Sequence, residues 1–368
     1  MKRRVLLTAV VVAAAAYAGF GLWVRSVRAP RVAPPPGELR GAWHVHTTRS
    51  DGRGTLDEVM RAAREAGLQF VVVTDHNVLT PADQGWHDGV LVVEGTEAST
   101  RFGHVVALGV PRALDAAERD GDPLGAIARL GGEAVLAHPF HPSRPFSGWG
   151  TGPWRGFEIV SNDTAWHEVV AGRSVGKAAV AAAELPWDGA RAVLALADDP
   201  SNERARFDAE VAAARKADPR QPPRVLLCSA DAHGYPSYRA AFEAFSMHVP
   251  LIPSGDGAYD ARSVARALLD GRAACVMDGV APAASIRLAR AADPGALELA
   301  IRAPDLSRAR FTLLRDGVPV GDAAAPVRGG EAVVRLACGG GACPPGDYRV
   351  EGTWDGRPRI FTNPLAIE

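Results

Sequence analysis

Two histidines on the first predicted strand of the chain could share a metal ion. His44 and His46 stand two residues apart, and because side chains alternate across a strand, residues i and i+2 point to the same side. Two imidazoles that converge on one point form half of a metal site. Asp51 follows in a glycine-flanked turn that could return a carboxylate to the same place. Taken alone, the stretch could also be two surface histidines beside a turn, although the metal site is the favoured interpretation.

Further residues of these types follow along the chain, mostly just after predicted strands. The set contains six histidines and three carboxylates: His44, His46, Asp51, His76, Glu97, His104, His138, Asp231 and His233. That is too many ligands for one ion, so the set suits two or three ions, with a carboxylate bridging a pair. Nitrogen and oxygen donors without thiolate favour Zn, Mn or Fe. Paired ions lower the pKa of a bridging water and polarise a phosphoryl or carbonyl oxygen, which is the chemistry of a hydrolase.

The elements that carry these residues alternate between apolar strands and helices. Thr55 and Glu58 fit a capping box for a helix that runs to about residue 66, and Gly67 is its natural end. Buried-strand runs are predicted at 70–73, 90–93, 105–108, 157–160 and 225–227. The alternation predicts an α/β fold with a mainly parallel sheet or barrel over residues 37–280. In a β/α barrel, the carboxyl ends of the strands form the active site.

Residues 281–368 have a different pattern, with short strands, turns and no long helix. Asp316-Gly317 and Asp355-Gly356 are hairpin signals. We therefore predict a small all-β sandwich domain here. It contains no cluster of histidines and carboxylates, so we expect the chemistry to lie in residues 37–280.

Residues 1–36 are predicted to be a targeting segment. The basic residues 2–4 precede an uncharged apolar run at 5–24, which is long enough to span a bilayer as a helix. Ala16-Tyr17-Ala18 offers a cleavage site, so a signal peptide competes with an uncleaved anchor. Pro34-Pro35-Pro36 begins a stiff tether. We expect an inner-membrane anchor with an exported, periplasmic catalytic domain, or a secreted protein if the signal is cleaved.

Composition narrows the possible partners. The net charge of −1 gives no broad attraction to nucleic acid, which we do not expect as a partner. The chain has 4 cysteines, too few for a disulfide-built scaffold. Cys338 and Cys343 could form a small disulfide, whereas Cys228 is expected to be a small core residue. The sequence gives no indication of the oligomeric state.

Several ordered motifs resemble one known superfamily. They are His44-x-His46, Ser50-Asp51-Gly52, Thr74-Asp75-His76, Gly95-x-Glu97, His104, Ala137-His138-Pro139 and Asp231-x-His233. Together they look like the motifs of the PHP (polymerase and histidinol phosphatase) superfamily of metal-dependent phosphoesterases, over roughly residues 39–280. The Thr-Asp-His-Asn form, the predicted export and the β tail look most like its CehA/McbA-type (carbaryl hydrolase-like) branch.

The resemblance implies a distorted (β/α)7 barrel with metals at the strand ends. By similarity, His44, His46, Glu97 and Asp231 would hold a first ion, and Glu97 would bridge to a second ion held by His104 and His138. A third ion would be held by Asp51, His76 and His233. Catalytic roles are assigned to Glu97, Asp231 and His233. Glu94 is a rival for Glu97, but the glycine before Glu97 and the Ser-Thr pair after it favour Glu97.

Three residues outside the ligand set could bind substrate. Arg101 lies between two ligands and could bind an anionic oxygen, although an exposed solvated arginine is equally compatible with its position. His141 and Arg144 follow the His138-Pro139 turn and could line the pocket. The remaining histidines, at positions 87, 167 and 248, lack such a context and are expected to be surface or satisfied core residues.

The sequence predicts a metal-dependent hydrolase, most simply a phosphoesterase acting on a small molecule with two or three divalent ions. Three alternatives stay open. The first is a carboxylester or carbamate hydrolase of the carbaryl-hydrolase type. The second is an amidohydrolase, which the lack of a well-placed bridging lysine disfavours, since Lys177 and Lys216 lie in alanine-rich helical stretches. The third is a catalytically inactive envelope binding protein.

Overall fold

The computed structural model describes residues 2–172, 174–218, 220–324, 330–339 and 341–368. Within these ranges the chain has a mixed α/β fold. Its helices are α1 (Lys2–Ser26), α2 (Leu56–Ala66), α3 (Ala116–Asp120), α4 (Pro123–Arg129), α5 (Asn162–Ala171), α6 (Val175–Glu184), α7 (Gly189–Leu196), α8 (Ser201–Ala217), α9 (Tyr238–Ala244) and α10 (Gly257–Leu269).

The strands fall into two groups along the chain. The first group is β1 (Leu39–Val45), β2 (Phe70–Val73), β3 (Gly85–His87), β4 (Val90–Thr100), β5 (Gly103–Leu108), β6 (Glu133–Leu136), β7 (Gly156–Ser161), β8 (Val225–Ala232), β9 (Ser246–Val249) and β10 (Ala274–Val276). The second group is β11 (Ser285–Arg290), β12 (Ala296–Ala303), β13 (Ala309–Arg315), β14 (Val318–Ala324), β15 (Gly330–Ala337), β16 (Gly346–Trp354), β17 (Arg357–Thr362) and β18 (Leu365–Ile367).

Seven strands of the first group close into a barrel. The order around it is β1, β2, β4, β5, β6, β7, β8 and back to β1. Neighbours are parallel except at β4–β5 and β5–β6, where they are antiparallel. A hairpin joins β4 to β5 and a helix-free segment joins β6 to β7. The α/β class and the barrel are therefore confirmed, while its description as a distorted (β/α)7 barrel stays a prediction.

The first helix of the barrel forms as its capping signals predict. Thr55 accepts a hydrogen bond from the backbone N–H of Glu58, and the Glu58 side chain accepts one from the N–H of Thr55. Gly67 ends the helix at a φ of 76°, in the left-handed region that favours glycine. This cap places α2 directly after the turn that carries Asp51.

The longest connection in the barrel joins β7 to β8 through α5, α6, α7 and α8. Phe207 of α8 is buried in the barrel core. The same helix also contacts the second group of strands, because Asp208 accepts two hydrogen bonds from Arg349 of β16, at 2.8 and 2.7 Å. Helix α8 thus lies between the barrel and the C-terminal strands.

The described part of residues 281–368 forms strands β11–β18 and no helix. β11, β12 and β15 make one antiparallel sheet, and β14, β13, β16 and β17 lie side by side in another. A separate apolar core that includes Phe311 and Tyr348 underlies these strands. Because β17 also pairs with β10, the second sheet continues into the barrel sheet. The sandwich domain and the boundaries at 36/37 and 280/281 stay predictions.

Among the described residues, α1 is the helix long and apolar enough to cross a membrane, a test that signal sequences pass as well. Most of it is exposed, but its last turns contact the barrel. The Tyr17 ring packs at 5.5 Å from that of Trp187, and Arg28, two residues beyond the helix, donates to Glu243 at 2.7 Å. The apolar helix is confirmed, whereas an anchor role and a cleavage remain open.

Two disulfides join the four cysteines. Cys338 and Cys343 are bonded, as their spacing suggested. Cys228 was expected to be a plain core residue; it is buried in the core, but it is also bonded to Cys275. The sequence does not show this pair because the two residues are 47 positions apart and meet only when β8 and β10 come together in the fold.

Candidate metal centre

All nine predicted ligands gather around one end of the barrel. His44 lies in β1, Glu97 in β4, His104 in β5 and Asp231 in β8, and the remaining ligands follow β1, β2, β6 and β8 directly or by a short turn. A cavity of about 260 Å³ opens here, lined by members of the set that include Asp51, His76, Glu97, His104, His138, Asp231 and His233. The strands that deliver these side chains are the same ones that close the barrel.

Glu97 is the centre of this arrangement and is fully buried. Its Oε2 lies 3.1 Å from Nε2 of His44, 3.2 Å from Nε2 of His46 and 3.2 Å from Nδ1 of His76. Its Oε1 lies 2.9 Å from Nδ1 of His104 and 3.0 Å from Nε2 of His138. One carboxylate therefore faces five imidazoles, with two histidines on one oxygen and three on the other.

Asp231 faces the first two histidines from β8, the strand that pairs with β1. Its Oδ1 lies 3.6 Å from Nε2 of His44 and 3.5 Å from Nε2 of His46. Both imidazole nitrogens are thus shared between Asp231 and Glu97. Separations of this size are those expected between ligand atoms of one ion, since metal–ligand bonds of about 2.0–2.2 Å leave neighbouring ligands some 3 Å apart.

Asp51 lies at the solvent side of the cluster and is half exposed. Its carboxylate oxygens lie 3.5 Å from Nε2 of His76, 3.4 Å from Nε2 of His233 and 3.6 Å from Nδ1 of His46. The turn that carries Asp51 is held by Asp75, which accepts hydrogen bonds from Thr47 and Ser50. Asp75 therefore supports the turn and does not face the cavity.

The backbone is unusual at three of these positions. His44, His138 and Asp231 have φ values of 67°, 26° and 40°, which non-glycine residues rarely adopt. At His44 the register of β1 against its neighbours shifts between Ala42 and Val45. Such conformations cost of order 1–3 kcal/mol each and persist where the surrounding structure enforces them, often at functional sites.

The residues fit a group of divalent cations. Several buried atoms of the set have no hydrogen-bond partner: His44 Nε2, His46 Nε2, His76 Nδ1, Glu97 Oε2, His104 Nδ1 and Asp231 Oδ1. Buried polar atoms left unpaired are costly unless something binds them. Four overlapping groups bring one atom from each residue within 4.8 Å: His44, His46 and Asp231; His44, Glu97 and His138; His76, Glu97 and His104; and His46, Asp51, His76 and His233.

The protonation of the cluster reflects its burial and its mutual contacts. Burial alone would raise the pKa of Glu97, but the charge of His44 and the close contacts of the neighbouring histidines hold that pKa well below its usual range. Burial lowers the pKa of His76 to about 4, so this imidazole is neutral near pH 7. Burial also lowers the pKa of His46, but the carboxylates of Asp231 and Glu97 outweigh it and raise that pKa to about 9. Because a metal ion binds the neutral imidazole, a cation at His46 would have to displace a proton.

Glu158 contacts two of the predicted ligands, and sequence reasoning missed it. It is buried in β7, and its carboxylate accepts hydrogen bonds from Trp43 Nε1 at 2.6 Å and from the backbone N–H of His138 at 2.8 Å. The same carboxylate lies 2.6 Å from Nδ1 of His44. The available signal was a glutamate inside the apolar run at 157–160, since an unpaired carboxylate is not expected in a buried strand.

The three predicted substrate-binding residues are not placed together. His141 and Arg144 line the cavity, and Arg144 Nη1 lies 3.3 Å from Nε2 of His104. Arg101 is exposed in the turn between β4 and β5, where its guanidinium covers the ring of Phe102 at 4.4 Å. Arg101 is therefore outside the described lining of the cavity, because the hairpin carries it beyond the strand ends.

His167 differs from its sequence-based description. It was expected to be a surface or satisfied core residue, but it lines the cavity together with Asp163. Asp163 Oδ2 lies 3.1 Å from Nδ1 of His167 and 3.2 Å from Nε2 of His141. The missed signal is the i, i+4 spacing of Asp163 and His167, which puts both on one face of α5. His248, by contrast, is a fully buried core residue, with Nδ1 3.0 Å from Oε1 of Glu38 and Nε2 without a hydrogen-bond partner among the described residues.

Comparison with known proteins gives partial matches. No known protein-family profile matches the chain. A phosphoribosyl 1,2-cyclic phosphate 1,2-diphosphodiesterase from Eggerthella lenta is 38% identical over 77 residues, which are 18% of this chain and 29% of that protein. The chain thus spans less than a third of the length of this curated relative.

Two solved structures are similar. One is a two-domain protein from Bacteroides vulgatus containing a predicted PHP-like metal-dependent phosphoesterase, with 14% identity, a TM-score of 0.38 and coverage of 92% of this chain and 99% of that one. The other is a putative metal-dependent phosphoesterase from Bifidobacterium adolescentis, with 17% identity, a TM-score of 0.25 and coverage of 39% and 85%. At these TM-scores the likeness does not by itself establish a common fold.

One of these structures is described as containing a predicted PHP-like metal-dependent phosphoesterase and the other as a putative metal-dependent phosphoesterase. Similarities this low assign neither a family nor an activity to this chain. Nothing in these matches distinguishes one branch of the superfamily from another, so the CehA/McbA-type assignment stays a prediction.

Proposed function

We propose that this protein is a metal-dependent phosphoesterase of the PHP type that acts on a small phosphoester. The observation that supports it most is the buried carboxylate of Glu97, within 3.2 Å of five imidazole nitrogens, several of which have no other partner. A cluster of this kind is costly to bury unless cations bind it.

Three groups of residues are assigned to two or three ions, with Zn, Mn or Fe as the candidates. The first is His44, His46, Glu97 and Asp231; the second is Glu97, His104 and His138; the third is Asp51, His76 and His233. Bound ions of this type polarise a phosphoryl oxygen and generate a strong nucleophile from water. The half-exposed Asp51 makes the third group the most open to solvent.

The chain's own residues would orient the substrate and handle protons. Arg144 and His141 line the cavity beside the ligands, where a guanidinium and an imidazole can bind phosphate oxygens. Asp231 and His233 lie at the same edge and are assigned to proton transfer. Glu97 keeps its negative charge, and it is assigned to bridging two ions. Arg101 has no place in this proposal, because it is outside the cavity.

An exported location accompanies this function. Two disulfides favour an oxidising compartment, and α1 has the length and composition of a signal anchor or signal sequence. We place the catalytic part of the chain in the periplasm, attached to the inner membrane by α1.

Metal analysis and two substrate panels test the proposal. The purified full chain is expected to hold two or three equivalents of transition metal and, with Mn or Zn, to hydrolyse p-nitrophenyl phosphate. Turnover of naphthyl esters or carbamates without phosphoester turnover would assign it to the carbaryl-hydrolase type instead. Metal binding with no turnover on either panel would favour a binding protein, and a chain that binds no metal would contradict all of these functions.

A further inference from the structure

The described part of the hairpin formed by α5 and α6 exposes an apolar surface. Trp166, Val170, Val175, Val180 and Leu185 are 41%, 56%, 75%, 49% and 40% exposed. The other exposed residues that the structure describes between 162 and 186 are alanine, glycine or proline. The charged residues that the structure describes in this segment, such as Lys177 and Glu184, are half-buried or buried. A contiguous apolar surface of this kind on a folded protein usually marks contact with a membrane or another protein.

The candidate membrane helix docks at the end of this surface. The hydroxyl of Tyr17 donates to the backbone carbonyl of Ala183 in α6 at 3.2 Å. The ring of Trp187, just beyond α6, leaves no room for a side chain at Gly21. Tyr17 lies nine residues before the end of α1 at Ser26, about 14 Å along a helix axis. If the apolar run is embedded, Ala183 lies at the depth of the headgroups or below.

The metal cavity adjoins the same hairpin. Asp163 and His167 of α5 line the cavity. Trp166 and Val170 stand three and seven residues after Asp163, so they share a face with it or flank it on an α-helix. The wall of the cavity therefore continues directly into the exposed apolar surface.

We propose that the α5–α6 hairpin lies in the interfacial layer of a lipid bilayer beside α1, so that the metal cavity opens at the membrane surface. This placement gives the substrate a chemical class: a phosphoester carried by a lipid, whose headgroup enters the cavity while its chains stay in the bilayer. That second part rests on the proposed phosphoesterase function. A bilayer fits the surface better than a protein partner, because its five exposed large side chains carry no charge and, apart from the indole of Trp166, no hydrogen-bonding group.

The membrane contact can be tested with single fluorescent labels. Both disulfides use all four cysteines, so an introduced thiol is the only one to label. Val175→Cys and Val180→Cys in the full chain, labelled with an environment-sensitive dye and reconstituted in phosphatidylcholine–phosphatidylglycerol vesicles, are expected to be quenched by spin-labelled lipid. The matched control is Val318→Cys, on β14 and 62% exposed, which should be quenched only by an aqueous quencher.

Two label results would overturn the membrane contact. One is equal access of aqueous quencher to positions 175, 180 and 318 in vesicles. The other is protection of the labels at 175 and 180 from the aqueous quencher in lipid-free detergent, if that protection rises with protein concentration. Such a result would assign the surface to a second copy of the chain or another protein.

The substrate class is tested by activity on two phosphomonoesters. Replacing Val170, Val175 and Val180 together by serine should leave turnover of p-nitrophenyl phosphate unchanged. It should lower turnover of dioleoyl phosphatidate in vesicles at least fivefold, because the cavity is no longer held at the surface. The lipid assignment is overturned if the wild type and the triple variant hydrolyse the phosphatidate in vesicles at the same rate. It is also overturned if the wild type hydrolyses p-nitrophenyl phosphate but not the phosphatidate. Absence of turnover on both substrates contradicts the phosphoesterase function. The quenching of the fluorescent labels tests the membrane contact separately, because it does not depend on activity.

Discussion

Oε1 of Glu158 lies 2.6 Å from Nδ1 of His44, with both side chains fully buried. A carboxylate at this position holds the proton on Nδ1 and leaves the lone pair of Nε2 free, facing Glu97 and Asp231. Glu158 also accepts hydrogen bonds from Trp43 and from the backbone of His138. One buried glutamate therefore orients a proposed ligand from β1 and fixes the backbone of another after β6.

Glu158→Gln should weaken metal binding by about 10–100-fold, the usual effect of changing a group that orients a ligand. All three neighbours of Glu158 present N–H groups, so an amide NH2 would face a donor and leave one hydrogen bond unmade. Competition with a metal chelator followed by elemental analysis measures the affinity. Glu133→Gln, at an exposed position on the neighbouring β6, is the control and should bind metal as the wild type does. Unchanged affinity in Glu158→Gln would contradict the assigned role.

Glu97→Gln should lower metal affinity by more than about 100-fold, beyond the range for residues that only orient ligands. Its carboxylate faces five imidazoles, so removing the charge affects each proposed ion that Glu97 bridges. Glu94→Gln is a matched control on the same strand. Glu94 lies near Arg49 and the backbone N–H of Thr80 instead of the histidines, so its variant should retain metal. Equal metal content in the two variants would show that the choice between Glu97 and Glu94 was wrong.

The sequence predicted the proposed ligands better than the groups that support them. Ligands such as His76 and His138 closely follow apolar runs that are predicted to be strands. Because the carboxyl ends of all barrel strands meet at one face, residues at those ends are expected to lie close together however far apart they are in the sequence. Glu158 and Cys275 could not be found in this way, because their partners, His44 and Cys228, are 114 and 47 positions away and meet only through the closed fold. Substrate binding by Arg101 stays a prediction, because the hairpin turn between β4 and β5 places it outside the described lining of the cavity.

Removing the two disulfides should destabilise the protein by different amounts. The residues are separated by 47 positions in Cys228–Cys275 and by 5 in Cys338–Cys343. Loop-closure entropy predicts about 4 kcal/mol for the longer loop and about 2 kcal/mol for the shorter. Guanidinium unfolding of Cys228→Ala/Cys275→Ala and Cys338→Ala/Cys343→Ala, without reductant, measures the loss. A larger loss in the second variant would mean that loop length does not set the effect.

Glu94 should make stability depend on pH. Burial raises the pKa of Glu94 to about 7 from an ordinary value of 4.5. Since the folded state binds this proton more tightly than the unfolded state, the ionised form opposes folding, and stability falls as pH rises from about 4.5 to 7. The effect amounts to about 1.4 kcal/mol for each unit of pKa difference.

Glu94→Gln removes this titration, so the variant should gain stability over wild type at pH 8 and lose that advantage near pH 4.5. Guanidinium unfolding at both pH values, with chelator present to exclude metal effects, gives the two free energies. Glu133→Gln, at an exposed carboxylate, should show no such difference between the two pH values. The sign of the stability difference between Glu94→Gln and wild type at pH 8 tests the prediction. A Glu94→Gln protein that is less stable than wild type would mean that the contact with Arg49, at 3.5 Å, outweighs burial and keeps Glu94 ionised.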